Sequence, residues 1–479
     1  MKLNILFLLI IVVYSCQTSD KQDDERPFLK EPTLKRDLQK IQDQGTVKAI
    51  TVYSGTSYFL YRGKPMGFEY ELLKRLADSL NLNLEIVIAK NINELISMLN
   101  TGEGDIIAHG LTVTKTRKQY VNFTDYLYLS KQVLVQRKPD NWRQMKLHEI
   151  QKELVSDPIE LIGDTVSVRR NSSYFYRLKN LSEELGGVIH IDTIPGDVST
   201  DRIIEMVVNK EIKYTVADDN IASINSSYYP ILDVKTQLSF SQRIAWAVRK
   251  NSPELLGKVN DWIDKIKDEV DYYVIYNKYF KNTRSFRRRT GSEFYSLNEG
   301  SISPYDDIVK KYDSIINWDW RFICSIIYQE SQFNPLARSW ADAGGLMQLM
   351  ETTAQEVGVD DITDPQQNIR GGIHYLEKLS SRFSQIPDSV QRVKFTLASY
   401  NCGYNHVRDA MKLAEEENKN PERWDGHVEE YILKLSYPEY YNKDLVDYGY
   451  VKGIEPYNYV REIFQRYQHY KELIPSDSM

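Results

Sequence analysis

The run Ile323–Ala354, ICSIIYQESQFNPLARSWADAGGLMQLMETTA, decides how the second half of the chain is read. Phe322, Ile323, Ile326 and Ile327 recur at helical spacing, and Glu330 falls three residues after Ile327 and four after Ile326. The spacing places a carboxylate on the apolar stripe of a helix, close to its C-terminal end. Both placements disfavour a negative charge. Burial raises a carboxyl pKa, and the negative end of a helix dipole repels an anion. A glutamate so placed holds a proton readily near neutral pH, as a general acid must. Taken alone, Glu330 reads more simply as a solvated residue at the rim of an apolar face. The residues that follow change that reading. Asn334-Pro335 is expected to end the helix, because the residue before proline is pushed out of the helical region. Gly344-Gly345 then opens an apolar run, Leu346–Met350, with the lone amide Gln348 inside it. Paired glycines permit close backbone approach, and an isolated amide there suggests a ligand contact.

Glu330-Ser331, Phe333-Asn334-Pro335, Ala337, Ser339, Gly344–Met350 and Thr353-Ala354 together resemble the signature of the lytic transglycosylase domain, which has a lysozyme-like fold. Asp364-Pro365, Asn368-Ile369, Gly371-Gly372 and Tyr375-Leu376 are similar to its next block, Ala398–Gly403 to its third and Tyr457–Val460 to its last. Four blocks in order over about 150 residues make the resemblance specific, where one block would not. Glu351 departs from it, since the family usually has proline there.

The resemblance implies peptidoglycan glycan strands as substrate and Glu330 as the catalytic acid and base. It implies that Ser331 orients that carboxylate or the sugar, and that Gln348, with the backbone of Gly345 and Met347, holds acetamido and hydroxyl groups. Tyr400 and Asn401 are implied to abut the glutamate, and Tyr459 to hydrogen-bond it. Structural roles stay open for each: Gln348 as a surface amide, Tyr400 and Tyr459 as core, Asn401–Gly403 as a helix C-cap, Gly345 and Met347 as packing. One carboxylate suffices in such a reaction because the substrate supplies the nucleophile, unlike paired-carboxylate glycosidases. Asp342 and Glu351 are the candidates for a second. A lysozyme-type hydrolase of the same fold and a non-catalytic cell-wall or amino-acid binding protein are the competing readings.

The first half alternates strand and helix. Val47–Val52, Leu84–Ile88, Asp164–Val168 and Tyr214–Asp218 read as strands, and Gly67–Ala77 as a helix with apolar Leu72, Leu73, Leu76 and Leu80. Arg243–Val248 and a helix from Pro253 to Ile266 are expected to return to the first lobe. Gly67–Leu72, Gly104-Asp105-Ile106, Thr112-Val113-Thr114 with Arg117, and Val216-Ala217-Asp218 resemble the bilobed solute-binding proteins that capture polar amino acids. The resemblance implies that Arg117 grips a ligand carboxylate with its planar fork and that Asp218 holds an ammonium. The ligand would be an amino acid or a muropeptide. Arg117 is otherwise a surface arginine, and Asp218 a helix cap.

Lys2 precedes the apolar run Leu3–Tyr14, too short for a comfortable membrane span and read as a signal peptide. Val13–Cys16 resembles a lipobox, which implies lipidation at Cys16. Gln17 rather than Asp after it favours the outer membrane, with the protein facing the periplasm. The other two cysteines, Cys324 and Cys402, are expected to be thiols rather than a bridge.

The chain of 479 residues, with 42% hydrophobic and 27% charged residues, has an ordinary globular composition, and its net charge of −6 argues against a nucleic-acid partner. Its seven histidines are scattered, with neither HExxH nor clustered Cys and His, so no metal or cofactor is called for. The expected organisation is multidomain: signal and lipobox at 1–16, a polar tether at 17–36, an α/β bilobed periplasmic-binding-protein-like domain at 37–282, a linker at 283–303 with the basic run Arg284–Arg289, and a mainly α lysozyme-like domain at 304–479.

Overall fold

The computed structural model describes residues 32–296 and 300–474. The lipidation expected at Cys16 lies outside the described residues. In the first lobe, β1 (Thr46–Thr51) precedes a hairpin of β2 (Phe59–Tyr61) and β3 (Lys64–Met66), then β4 (Asn83–Ile88), β5 (Ile106–Thr112) and β6 (Val121–Ser130). The chain crosses to a second lobe for β7 (Gln132–Arg137), β8 (Thr165–Arg169), β9 (His190–Ile194), β10 (Tyr214–Asp218) and β11 (Leu232–Asp233). It returns as β12 (Gln242–Arg249), followed by the helix Pro253–Lys267, as the apolar run from Ile244 to Val248 suggests. The main sheet has the order β4-β1-β5-β12-β6, with β1 parallel to β4 and β5, and β12 antiparallel to β5 and β6. The second lobe holds the antiparallel set β10-β7-β11 and the parallel pair β8-β9. At the two crossings Gln132 Nε2 donates to Gln242 Oε1 at 3.2 Å, so the two connecting strands are tied where the lobes meet.

The helix Phe68–Ser79 begins at Gly67, whose φ is 144°. A Cβ there would lie 1.9 Å from the carbonyl oxygen of Ser57, so only glycine lets the helix start against that loop.

The basic run read as linker is an ordered helix, Thr283–Thr290. Phe286 and Arg289 are buried, and the Arg289 guanidinium lies 5.5 Å from the ring centres of Phe59 and Tyr279. Arg287 donates to the carbonyl of Ser227 in the second lobe at 3.1 Å. Arg284 and Arg288 remain in water. A charge run packs here because a guanidinium can be buried on aromatic faces, which composition alone does not reveal.

The second half is helical. Its centre is the helix Trp320–Ser331, buried at every position from Trp320 to Tyr328. It packs against Asp306–Tyr312 and the long C-terminal helix Ile454–Leu473. Arg321 survives burial because Asp319, the N-cap residue, accepts from its Nε at 3.0 Å while its Nη1 donates to Ile474 O at 2.7 Å. The helix ends at Ser331, short of the expected stop at Asn334-Pro335. Gln332 (φ 50°) and Phe333 (φ 61°) are both left-handed, and Phe333 is buried against Tyr328. Tertiary packing of Phe333, rather than the proline, turns the chain.

The C-terminal helix also forms the seam with the first lobe. Tyr58 Oη donates to His469 Nδ1 (2.8 Å), and His469 Nε2 faces Ile86 O at 3.4 Å. Tyr470 Oη donates to Gly63 O at 3.0 Å, and Arg461 to Thr46 Oγ1 at 3.1 Å. Leu60 of β2 joins the hydrophobic core of the helical half. Burial holds the His469 imidazole down at about 4, so it is neutral in the seam. The unfolded chain binds the extra proton first. The seam's stabilisation is therefore present above pH 6.5 and lost as pH falls toward 4. Over that window, thermal melts of the wild type should lose on the order of 3 kcal/mol more than those of His469→Asn. Equal acid sensitivity of the two would refute this role.

Candidate functional site

Glu330 sits at the last turn of the central helix, half-buried. One carboxylate oxygen accepts a short hydrogen bond from Tyr459 Oη, donated from the C-terminal helix. Burial pushes the Glu330 carboxyl up to about 7, and the Tyr459 hydrogen bond opposes that rise only in part. The Tyr459 phenol is itself driven far up, first by burial and then by the negative charge of Glu330. The pair therefore consists of a neutral phenol and a carboxyl that changes charge near neutrality.

The Gly344–Leu349 loop beside it is fixed by side chains from three helices. Ser331 is buried, and its hydroxyl faces the carbonyls of Leu346 (2.8 Å) and Ile327 (3.1 Å), so it braces the loop to the helix end. Gly345 has φ 79°, and a Cβ on it would lie 2.1 Å from Ile362 O. Met347 is buried; its N–H donates to Asn368 Oδ1 at 2.8 Å and its carbonyl accepts from Tyr400 Oη at 2.7 Å. Gln348 is left-handed (φ 47°) and gives its amide nitrogen to Ala337 O (3.0 Å) and Gly345 O (2.8 Å). Its amide oxygen makes no hydrogen bond among the described residues.

Tyr400 is close enough to Glu330 for that charge to raise its pKa, after burial, and its ring packs 5.5 Å from Tyr375. Asn401 is exposed on the next residue of the same helix, just before Gly403, which caps it. Glu330, Tyr459, Tyr400, Met347, Gly345 and Ser331 thus form one connected cluster, with Gln348 on its loop. Asp342 and Glu351 make no hydrogen bond to Glu330, and neither contributes to its titration. The two cysteines among the described residues are free: Cys324 is buried, and Cys402 Sγ lies 3.2 Å from Ala398 O.

Asn368 was missed as a site residue although its block was recognised. It is fully buried, and its amide nitrogen donates to Gly344 O (3.1 Å) and Ile362 O (2.9 Å) while its oxygen takes the Met347 N–H. Gln366 and Gln367 precede it on the same helix, so the sequence does not single out this amide from its neighbours.

In the first half, Arg117 and Asp218 line one cavity between the lobes, together with Thr112, Arg169, Ser173 and Tyr174. Arg117 Nη1 donates to Thr112 O at 2.9 Å. Burial and the neighbouring Arg169 charge lower the Arg117 guanidinium to about 10. Asp218 occupies the N-cap position of the helix Asp219–Tyr228, but its side chain makes no capping bond. It accepts instead from Tyr174 Oη at 3.2 Å, and burial raises it to about 7. Its carboxylate therefore lines the cleft and does not cap the helix.

A bilobed binding unit followed by a helical domain built round one half-buried acid defines a two-module class of protein, part solute binder and part glycan-directed catalyst. The model of bacterial extracellular solute-binding proteins, family 3, matches residues 36–282, and that of the transglycosylase SLT domain matches 307–422. A membrane-bound lytic murein transglycosylase F of Desulfosudis oleivorans is 35% identical over 91% of this chain and 92% of its own length. One of Vibrio cholerae is 31% identical over 97% of this chain and 84% of its own. Among solved structures, the ancestral amino acid-binding protein AncCDT-1 is 23% identical over 51% of this chain and 99% of its own, with a TM-score of 0.43. The chain belongs to the membrane-bound lytic murein transglycosylase F family.

Asn368→Ala should strip the Met347 N–H and two carbonyls of their buried partner and cost about 2–4 kcal/mol. A denaturant titration would measure it, and a loss below about 1 kcal/mol would mean that water replaces the amide.

Proposed function

We propose that this protein cleaves the β-1,4 bond between MurNAc and GlcNAc in peptidoglycan and leaves a 1,6-anhydro-MurNAc end. The observation that carries this reading is the Glu330 carboxyl, lifted to about 7 by burial and held by a single phenol. In its protonated form it donates to the glycosidic oxygen as the bond breaks. As a carboxylate it then accepts the proton of the MurNAc C6 hydroxyl, whose oxygen closes onto the anomeric carbon. Because that nucleophile belongs to the substrate, little orientational entropy is lost, and a second carboxylate is unnecessary. Tyr459 steadies the charged form between the two steps. Gln348 Oε1 and Asn401 are the free polar ends that would receive sugar groups, and Tyr400 and Ser331 hold the loop that presents them. No second reaction is favoured by any contact of Glu330, and the hydrolase differs only in letting water replace the C6 hydroxyl.

The family's membrane-bound relatives support a cell-envelope location. No helix among the described residues is long and apolar enough to cross a membrane. We assign attachment to a lipid on Cys16 at the periplasmic side of the outer membrane; the tether expected at 17–36 stops short of Thr33 and Arg36, which are bound to Asn100 and Asp105 of the first lobe. The bilobed module would capture an amino acid or muropeptide between Arg117 and Asp218 and position or regulate the lytic half.

Purified protein acting on sacculi should release anhydro-muropeptides, and Glu330→Gln should abolish release. Products one water heavier would establish hydrolysis instead. Turnover should fall as pH rises through about 7, where the acid form is lost. Tyr459→Phe removes a bond that favours the carboxylate, so this limb should move to higher pH; an unmoved limb would exclude the contact from the mechanism. The wild type should take up a fatty-acyl label that Cys16→Ser does not, and an unlabelled wild type would disprove the lipid anchor.

A further inference from the structure

The interlobe cavity contains a second arginine for which an ordinary amino-acid site has no use. Arg169 ends β8 in the second lobe, and Arg117 comes from the first; both line the same cavity. Arg117 spends one N–H on Thr112 O. The Arg169 guanidinium makes no hydrogen bond or ion pair among the described residues, although burial works against its charge.

The aspartates nearby are otherwise engaged. Asp201 accepts from Gly55 N at 3.1 Å across the cleft and from Asn225 Nδ2 at 2.8 Å, while Asp218 accepts from Tyr174. Their charges favour the Arg169 cation from a distance, without meeting it. His109, also in the cavity, is buried with an unpartnered Nδ1 and is lowered to about 3, chiefly by burial and then by the two arginines. It stays neutral and supplies no charge.

A ligand with one carboxylate and one ammonium would use Arg117 and Asp218. It would seal Arg169 in the cleft without a partner, and a desolvated, unpaired guanidinium is costly. A second carboxylate would meet it with the charge-assisted, forked geometry that arginine offers. We infer that the cleft takes an amino acid bearing two carboxylates, the first held by Arg117 and the second by Arg169. This rests on the reading of the module as an amino-acid-type binder and adds the ligand's charge to it. The competing account makes Arg169 only a counter-charge for Asp201 and Asp218, with no preference among ligands.

Calorimetry on the purified full-length chain separates the two accounts, using both enantiomers of glutamate and aspartate against glutamine and asparagine. At least one dicarboxylate should bind tenfold or more tighter than its amide, since a hydrogen bond to a charged group is worth about that factor. Arg169→Gln should erase the gap by weakening the dicarboxylate alone, whereas Arg117→Ala should weaken acid and amide together. Should Arg169→Gln not fold, Arg169→Lys keeps the charge and loses the fork, and should weaken the dicarboxylate selectively. Equal affinity of acid and amide in the wild type, or an equal loss of both in the Arg169 variants, overturns the inference and leaves the binding module standing. Failure of every compound to bind the wild type overturns the inference and the amino-acid reading together.

Discussion

A carboxyl group taken halfway out of water is the constraint on which the catalytic half is built. Desolvation lifts Glu330 to about 7, and it can do so only because the helix beneath is buried from Trp320 to Tyr328. The hydrogen bond from Tyr459 works in the opposite direction. The balance leaves a group that can give and then take a proton without a second acid beside it. The neighbouring loop is held by Asn368, Tyr400 and Ser331 at fixed distances from the backbone of Met347 and Leu346. Such preorganisation on helices is what the proposed reaction, with one residue serving both steps, would require.

The C-terminal helix Ile454–Leu473 serves two surfaces at once. Tyr459 near its start touches the Glu330 carboxylate; His469 and Tyr470 near its end touch the first lobe. Neutral His469 sits between Tyr58 and Ile86 and joins the lobe by hydrogen bonding, while Arg461 adds an ion pair to Glu85 at 3.9 Å. The last described helix thus returns the chain to the first lobe.

Much of this was legible beforehand because it is written locally. The helical spacing around Glu330 marks an acid on an apolar stripe, and the alternation of strands and helices marks the α/β lobes. Arg117 and Asp218 could be named from short motifs, and both line the cleft. What escaped is set by partners far away in sequence. The left-handed turn at Gln332 and Phe333 comes from packing, not from Pro335. The helix at Thr283–Thr290 forms because Arg289 finds aromatic faces at Phe59 and Tyr279. Asn368 and Arg169 carry no distinguishing local pattern, since an amide on a helix and an arginine at a strand end are both commonplace. The Tyr58–His469 pair spans 411 positions, and nothing in either neighbourhood points to the other.

The β2–β3 hairpin is shared between two cores: Phe59, Tyr61 and Met66 pack within the first lobe, and Leu60 points into the helical half. Leu60 shares that half's core, and Gly63 lies so close to Phe333 and Tyr470 that a Cβ would come within 2.6 and 2.7 Å of them. The two halves are therefore not detachable cassettes. A fragment beginning after residue 300 would present to water the socket made for this hairpin, an apolar surface inclined to self-association. Any exchange of modules between relatives would have to carry the hairpin along with the helices it fills.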